Sequence, residues 1–208
     1  MIDQPPASLR WDIFCRVIDN LGDAGVCLRL AADLASRGLQ VCLYIDQTAV
    51  LADLMGNATY SKSLSIRLWP DDTQSFSASE VADVVIEAFA CDPPSAYISA
   101  MAQADKPPVW INLEYLSAEA WVEESHGLPS PHPRYALTKY FFFPGFTPGT
   151  GGLLREPGLI DRLDTAHIEN KDTALRIFLF GYPQPKISEW LDRLAAQAEP
   201  TLLAIVPC

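Results

Sequence analysis

The stretch FCRVIDNLGDAGVCLRLAADLASRG, residues 14–38, constrains the fold most, because an apolar β-rich run passes through a tight turn straight into a segment with helical spacing. Val26, Cys27, Leu30, Ala31 and Leu34 recur at helical intervals, and Gly38 stands where a helix C-cap is expected. The next run, VCLYID (41–46), closes a βαβ unit. Counting WDIFCRVI (11–18) as the first strand, the alternation continues through LSIRLW (64–69), DVVIEAF (83–89), PVWINLEYL (108–116) and KYFFFPGF (139–146). Strand-like runs alternating with helical patterns predict an α/β fold with a mostly parallel sheet. PPSAYISAMAQADK (93–106) opens with prolines suited to a helix N-terminus, and Pro107-Pro108 stop it.

Residues 147–174 cluster Gly and Pro and then mix charges, which marks a boundary. Beyond it LRIFLFGYP (175–183) reads as a strand, and Ile187, Trp190, Leu191, Leu194, Ala195 and Ala198 form an apolar helical stripe. TLLAIVP (201–207) reads as another buried strand. The expected organisation is an N-terminal α/β domain over 1–155, a linker over 156–174 and the start of a second domain over 175–208. A lone βαβ unit leaves a sheet edge and a face bare, so that second domain is expected to be incomplete.

The 208 residues suffice for one well-buried domain and part of another, and 49% hydrophobic against 20% charged residues supports a packed core. A net charge of −11 opposes the phosphate attraction that drives nucleic-acid binding, so no nucleic-acid partner is expected. MIDQPPASLR lacks a signal core and no run approaches the ~18 apolar residues of a membrane span, so a cytoplasmic protein without a membrane partner is expected. Cys15, Cys27, Cys42, Cys91 and Cys208 show no C-x-x-C spacing, and the first four lie in apolar surroundings. Reduced thiols are the expectation. His126, His132 and His167 lack metal-ligand spacing, and no metal is assigned.

The turn DNLGDAG (19–25) is the chemical puzzle. It has only Gly22 and Gly25 where the dinucleotide fingerprint wants three glycines, and Asp23 stands where a phosphate would sit. A nucleotide in this turn, and with it a nicotinamide oxidoreductase, is disfavoured. Two readings stay open. Asp23 is a helix N-cap contributing ~1 kcal/mol, with Asp19 closing an Asx turn. Alternatively, two carboxylates at the carboxyl edge of a parallel sheet hold a cation or act as a base, and a guanidinium suits them because it binds carboxylates bidentately. WINLEYLSAE puts Glu114 and Tyr115 at a strand end, with Asn112 and Glu114 on one face. A solvated strand end is the alternative there. The aromatics Tyr140 to Phe143 read as core, while Thr150-Gly151-Gly152 permits close backbone approach.

Taken together, FCRVIDNLGDAGVCLRLAADLA, DVVIEAFACDPP, WINLEYLSAEAWVEESHGLPSP, KYFFFPGFTPGTGGLLRE and FLFGYP resemble, in order from Trp11 to about Ala204, the bacterial protein-arginine rhamnosyltransferases that modify translation elongation factor P, the EarP family. The resemblance implies a GT-B architecture of two Rossmann-like domains, the first recognising the acceptor protein and the second binding dTDP-β-L-rhamnose. It also implies inverting transfer of rhamnose to one arginine, with no metal or other cofactor. The family's D-N-x-G-D motif falls on Asp19, Asn20, Gly22 and Asp23, which makes Asp23 the implied general base and Asp19 its essential neighbour. Asn20, Glu114 and Tyr115, the last two within the family's N-x-E-Y-L string, are assigned to the acceptor. Phe180 and Tyr182 match the aromatic pair that opens the donor domain, and Gly22, Gly151 and Gly152 are assigned to the donor side. The family's later R-G-E-D-type segment is not in this chain, so little activity is expected from it alone. A non-catalytic elongation factor P binding module, or a GT-B transferase with another donor or acceptor, remain alternatives.

Overall fold

Short β-branched and aromatic runs cannot bury both faces alone, and here they line up as a seven-stranded sheet with helices against it and a separate two-stranded one. The structure, a computed structural model, describes residues 9–18, 20–56, 59–71, 73–161, 175–181, 186–196 and 201–207. The chain divides into two compact units, Met1–Pro157 and Gly158–Cys208. In the first, the elements are β1 (Arg10–Cys15), α1 (Asn20–Ser36), β2 (Gln40–Ile45), α2 (Thr48–Met55), β3 (Leu64–Leu68), β4 (Val84–Ala88), α3 (Ser95–Gln103), β5 (Val109–Leu113), α4 (Trp121–Ser125), β6 (Pro129–Pro131) and β7 (Thr138–Phe142). The strand order is β3-β2-β1-β4-β5-β7-β6. Every pairing is parallel except that of β6 with β7. The α/β class therefore holds, with a mostly parallel, Rossmann-like sheet.

Alternation along β1 sends Ile13 and Cys15 to one face and Phe14 to the other, and a separate core forms on each. On the first face Ala24, Cys27, Leu28, Ala31 and Ala35 of α1 pack against Leu43, Ile45 and Ile86. This stripe is turned from the predicted one: Val26, Leu30 and Leu34 flank the contact, partly buried. Small side chains sit nearest the sheet because they let the helix backbone approach it, which a ranking by hydrophobicity does not foresee. The helix stops as the sequence predicts. Gly38 adopts φ 88°, and its N–H and that of Leu39 bond back to the carbonyls of Ala35 and Leu34.

On the other face Phe14 stacks on Tyr44 at 4.7 Å and meets Tyr97 edge-on at 4.8 Å. The buried Tyr97 hydroxyl accepts the Ala82 N–H at 3.1 Å and donates to Asp12 Oδ2 at 2.6 Å. Burial raises the Asp12 carboxyl above its usual range, and this hydrogen bond opposes the shift. β4 is buried at all five positions although it contains Glu87. The Lys139 ammonium, reaching across from β7, pairs with Glu87 and lies 5.3 Å from the Trp110 ring centroid. Burial pushes the Glu87 carboxyl up, with Lys139 acting against it.

In the second unit the strands Leu175–Gly181 and Thr201–Pro207 pair in parallel through seven residue pairs, joined by the helix Lys186–Ala195. Ile187, Leu191 and Leu194 of the predicted stripe are half-buried, whereas Trp190 is 40% exposed. Ala198 and residues 162–174 of the predicted linker lie outside the described residues. Among the described residues, Cys15, Cys27, Cys42 and Cys91 are unbridged, no group of His, Cys, Asp and Glu side chains could hold a metal, and no helix is long and apolar enough to cross a membrane. Cys208 and His167 lie outside the described residues.

Candidate functional site

After β1 the chain runs outward through β2 and β3, then crosses back to lay β4 on the other side of β1. The loops leaving β1 and β4 at their carboxyl ends thus run in opposite directions, the place at which sheets of this kind take their ligands. The β1 exit is tied down from β2. Val17 N–H donates to Asp46 Oδ1 at 3.0 Å, Gln47 Nε2 donates to the Val17 carbonyl at 3.2 Å, and the Arg16 guanidinium lies 4.6 Å from the Trp69 ring centroid.

Helix α1 begins at Asn20, so Asp23 occupies its first turn and is not the N-cap that one reading of the sequence made it. A carboxylate there is favoured by the helix dipole. Asp23 is only 1% exposed. Its Oδ2 accepts the Ile18 N–H at 2.9 Å, and its Oδ1 accepts the Tyr115 hydroxyl at 3.0 Å. The group is held in one orientation by a backbone donor from its own turn and a phenol from beyond β5.

The β4 exit supplies the other wall. Phe89, Ala90 and Asp92 have φ of 57°, 53° and 47°, left-handed values that side-chain-bearing residues rarely adopt. The Phe89 N–H donates to the Leu113 carbonyl at 2.7 Å, and the Ala90 N–H donates to Asn112 Oδ1 at 3.1 Å. The strained turn presents the Phe89 ring, which stacks on Tyr115 at 4.1 Å with planes 9° apart. Asn112 is fully buried, and its Nδ2 donates to Glu114 Oε1 at 2.6 Å. Nearby, burial drives the Cys91 thiol up to about 12, so it is not a thiolate nucleophile at neutral pH.

The structure brings two of the predicted residues together, Asp23 and Tyr115. It ties Glu114 to Asn112, as strand alternation suggested. Asn20 opens α1, and Gly22 is exposed in the same turn. Asp19 and Tyr182 lie outside the described residues, and Phe180 falls in the strand Leu175–Gly181 of the second unit. Gly151 and Gly152 fold onto the end of β7. A Cβ on Gly151 would stand 2.3 Å from Phe142 Cζ, and Gly152 has φ 73°. Both glycines thus have a role within the first unit itself. Sequence reasoning did not assign Asp46, Gln47, Phe89, Ala90 or Asn112 to the site. Alternation with Glu114 pointed toward Asn112, but no residue preference announces Phe89 and Ala90.

Residues 11–207 match the family model for the elongation factor P rhamnosyltransferase EarP. The chain belongs to this family. Among its EarP relatives, the protein-arginine rhamnosyltransferase of Pseudomonas putida is 44% identical over 216 residues, covering 94% of this chain and 56% of the relative. That of Pseudomonas aeruginosa is 40% identical with the same coverage, and that of Neisseria meningitidis is 36% identical over 96% of this chain and 54% of its own length. The chain thus spans about half the length of the curated EarP relatives it matches.

Proposed function

We propose that this chain serves rhamnosyl transfer to a protein arginine, as the names of its relatives describe, with translation elongation factor P as acceptor and dTDP-β-L-rhamnose as donor, and with inversion at the anomeric carbon. The observation that carries the reading is the buried Asp23 carboxylate, oriented by Ile18 and Tyr115 in the sheet's ligand crevice. The reading puts the protein in the cytoplasm and needs no metal or further cofactor.

Relative basicity limits what Asp23 does in such a reaction. A guanidinium holds its proton far more tightly than a carboxylate does, so full proton transfer to Asp23 before attack is strongly uphill. Free neutral guanidine is therefore not the nucleophile. Instead Asp23 orients the guanidinium, polarises one N–H and takes its proton as the new C–N bond forms and that N–H becomes acidic, while the anomeric C–O bond breaks on the opposite face and dTDP departs with its electron pair. A carboxylate offers about four lone-pair sites on two oxygens, so the donors from Ile18 and Tyr115 set its plane while it accepts from an arginine. In this reading Asp19 adds negative potential beside the growing cation, and Asn20, Glu114 and Tyr115 border the acceptor. Gly22, Gly151, Gly152, Phe180 and Tyr182 are assigned to the donor.

Calorimetric titration with unmodified and with arginine-rhamnosylated elongation factor P tests the reading. The unmodified protein is expected to bind about 10-fold more tightly, because the sugar blocks bidentate pairing of the guanidinium. Equal affinities, or no binding to either, contradict it.

A further inference from the structure

We propose that Asn112 is a positioning residue for the candidate base, acting through the strained turn Phe89–Ala90 and the ring of Tyr115. The inference rests on the reading of Asp23 given above. The contacts are continuous. Asn112 is 0% exposed, and its Oδ1 accepts the Ala90 N–H at 3.1 Å. Phe89 and Ala90 both hold left-handed φ values, 57° and 53°, which persist only where surrounding contacts over-determine them. That backbone turns the Phe89 ring flat against Tyr115, 4.1 Å away, and Tyr115 reaches Asp23 Oδ1 at 3.0 Å.

The residue type matters. An amide presents one acceptor and one donor group in a plane, and here the acceptor meets an N–H while the donor meets the Glu114 carboxylate at 2.6 Å. Two partners of opposite kind fix the amide's orientation. An aspartate at 112 would set two carboxylates against each other, and a leucine, alike in branching but larger, would leave the Ala90 N–H without its acceptor. Glu114 accordingly steadies the amide that steadies the turn.

The protein is labelled with 3-fluorotyrosine, and the Tyr115 fluorine resonance is assigned by its loss in Tyr115→Phe. Asn112→Leu is expected to shift that resonance to its position in Phe89→Leu, where the stack is gone, and to weaken binding of unmodified elongation factor P about 10-fold. Two further variants separate positioning from bulk stability. Adding Ala90→Gly to Asn112→Leu lets the turn keep its φ without the amide, and is expected to restore the native resonance. The reversed pair, Asn112→Asp with Glu114→Gln, keeps the Ala90 N–H donating to residue 112 and reverses only the direction of the 112–114 hydrogen bond, and is expected to retain it. A native resonance in folded Asn112→Leu overturns the proposal, as does its loss in the reversed pair. These spectra need no acceptor, so they stand apart from the Asp23 reading, which fails separately if Asp23→Asn leaves acceptor binding unchanged.

Discussion

Replacing Lys139 by Met removes the ammonium that pairs with Glu87 while keeping an unbranched stem against Trp110. Glu87 is 0% exposed and Lys139 is 18% exposed, so the variant strands a carboxylate inside a strand that is buried at every position. Breaking a buried pair from one side costs about 3 kcal/mol, roughly 150-fold in the folding equilibrium. For a unit of this size that is a fall of roughly 6–12 °C in melting temperature. The contact of Lys139 with Asp92 at 3.8 Å adds little, since Asp92 is 82% exposed. The cost has a definite pH dependence. Burial already raises the Glu87 pKa and Lys139 opposes that, so removing Lys139 raises it further. A carboxyl whose folded-state pKa is raised keeps its contribution below the unfolded value and loses it as pH climbs through the folded one. Relative to native protein, Lys139→Met is therefore expected to cost little near about pH 4.5 and increasingly more as pH rises toward neutral, up to ~3 kcal/mol once Glu87 is ionised. The double variant Glu87→Leu/Lys139→Met carries no buried charge and should return to within about 1 kcal/mol of native at both pH values. Urea unfolding followed by tryptophan fluorescence measures all three proteins. A Lys139→Met penalty that is the same at both pH values, or a double variant as unstable as the single one, is incompatible with a buried Glu87–Lys139 ion pair.

Tyr97→Phe leaves Asp12 and the Ala82 N–H without their buried partner, and thermal unfolding by circular dichroism is expected to register a loss of about 2 kcal/mol. Gly151→Ala puts a methyl 2.3 Å from Phe142 Cζ, and the same measurement should show a loss of about 1–3 kcal/mol from the forced shift of the ring. An unchanged midpoint in either would count against the packing described.

Strand periodicity carried the fold because each β-rich run is short, apolar and followed by a helical stripe, and a parallel sheet is what such units build. Where inference from sequence fell short, the cause is contact order or backbone geometry. Glu87 sits unremarked in DVVIEAF, and its partner Lys139 is 52 residues away. Asp23 was legible as an acidic residue in an unusual turn, yet the phenol that orients it comes from 92 residues along the chain. The left-handed turn at Phe89–Ala90 is carried by residues with no preference for it, so only the contacts made in the folded state specify it. Helix α1 was placed correctly but rotated, because alanines outrank leucines where backbone closeness decides the packing.

If Asp23 meets the acceptor arginine, a double-mutant cycle registers the contact as an energetic coupling. Affinities are measured by calorimetry for native protein and Asp23→Asn, each with elongation factor P and with its acceptor arginine changed to methionine. Two groups in direct charged contact should couple by about 2 kcal/mol, roughly a 30-fold departure from additivity. Affinity losses that simply add would contradict the account, because they would mean that the carboxylate and the arginine do not meet.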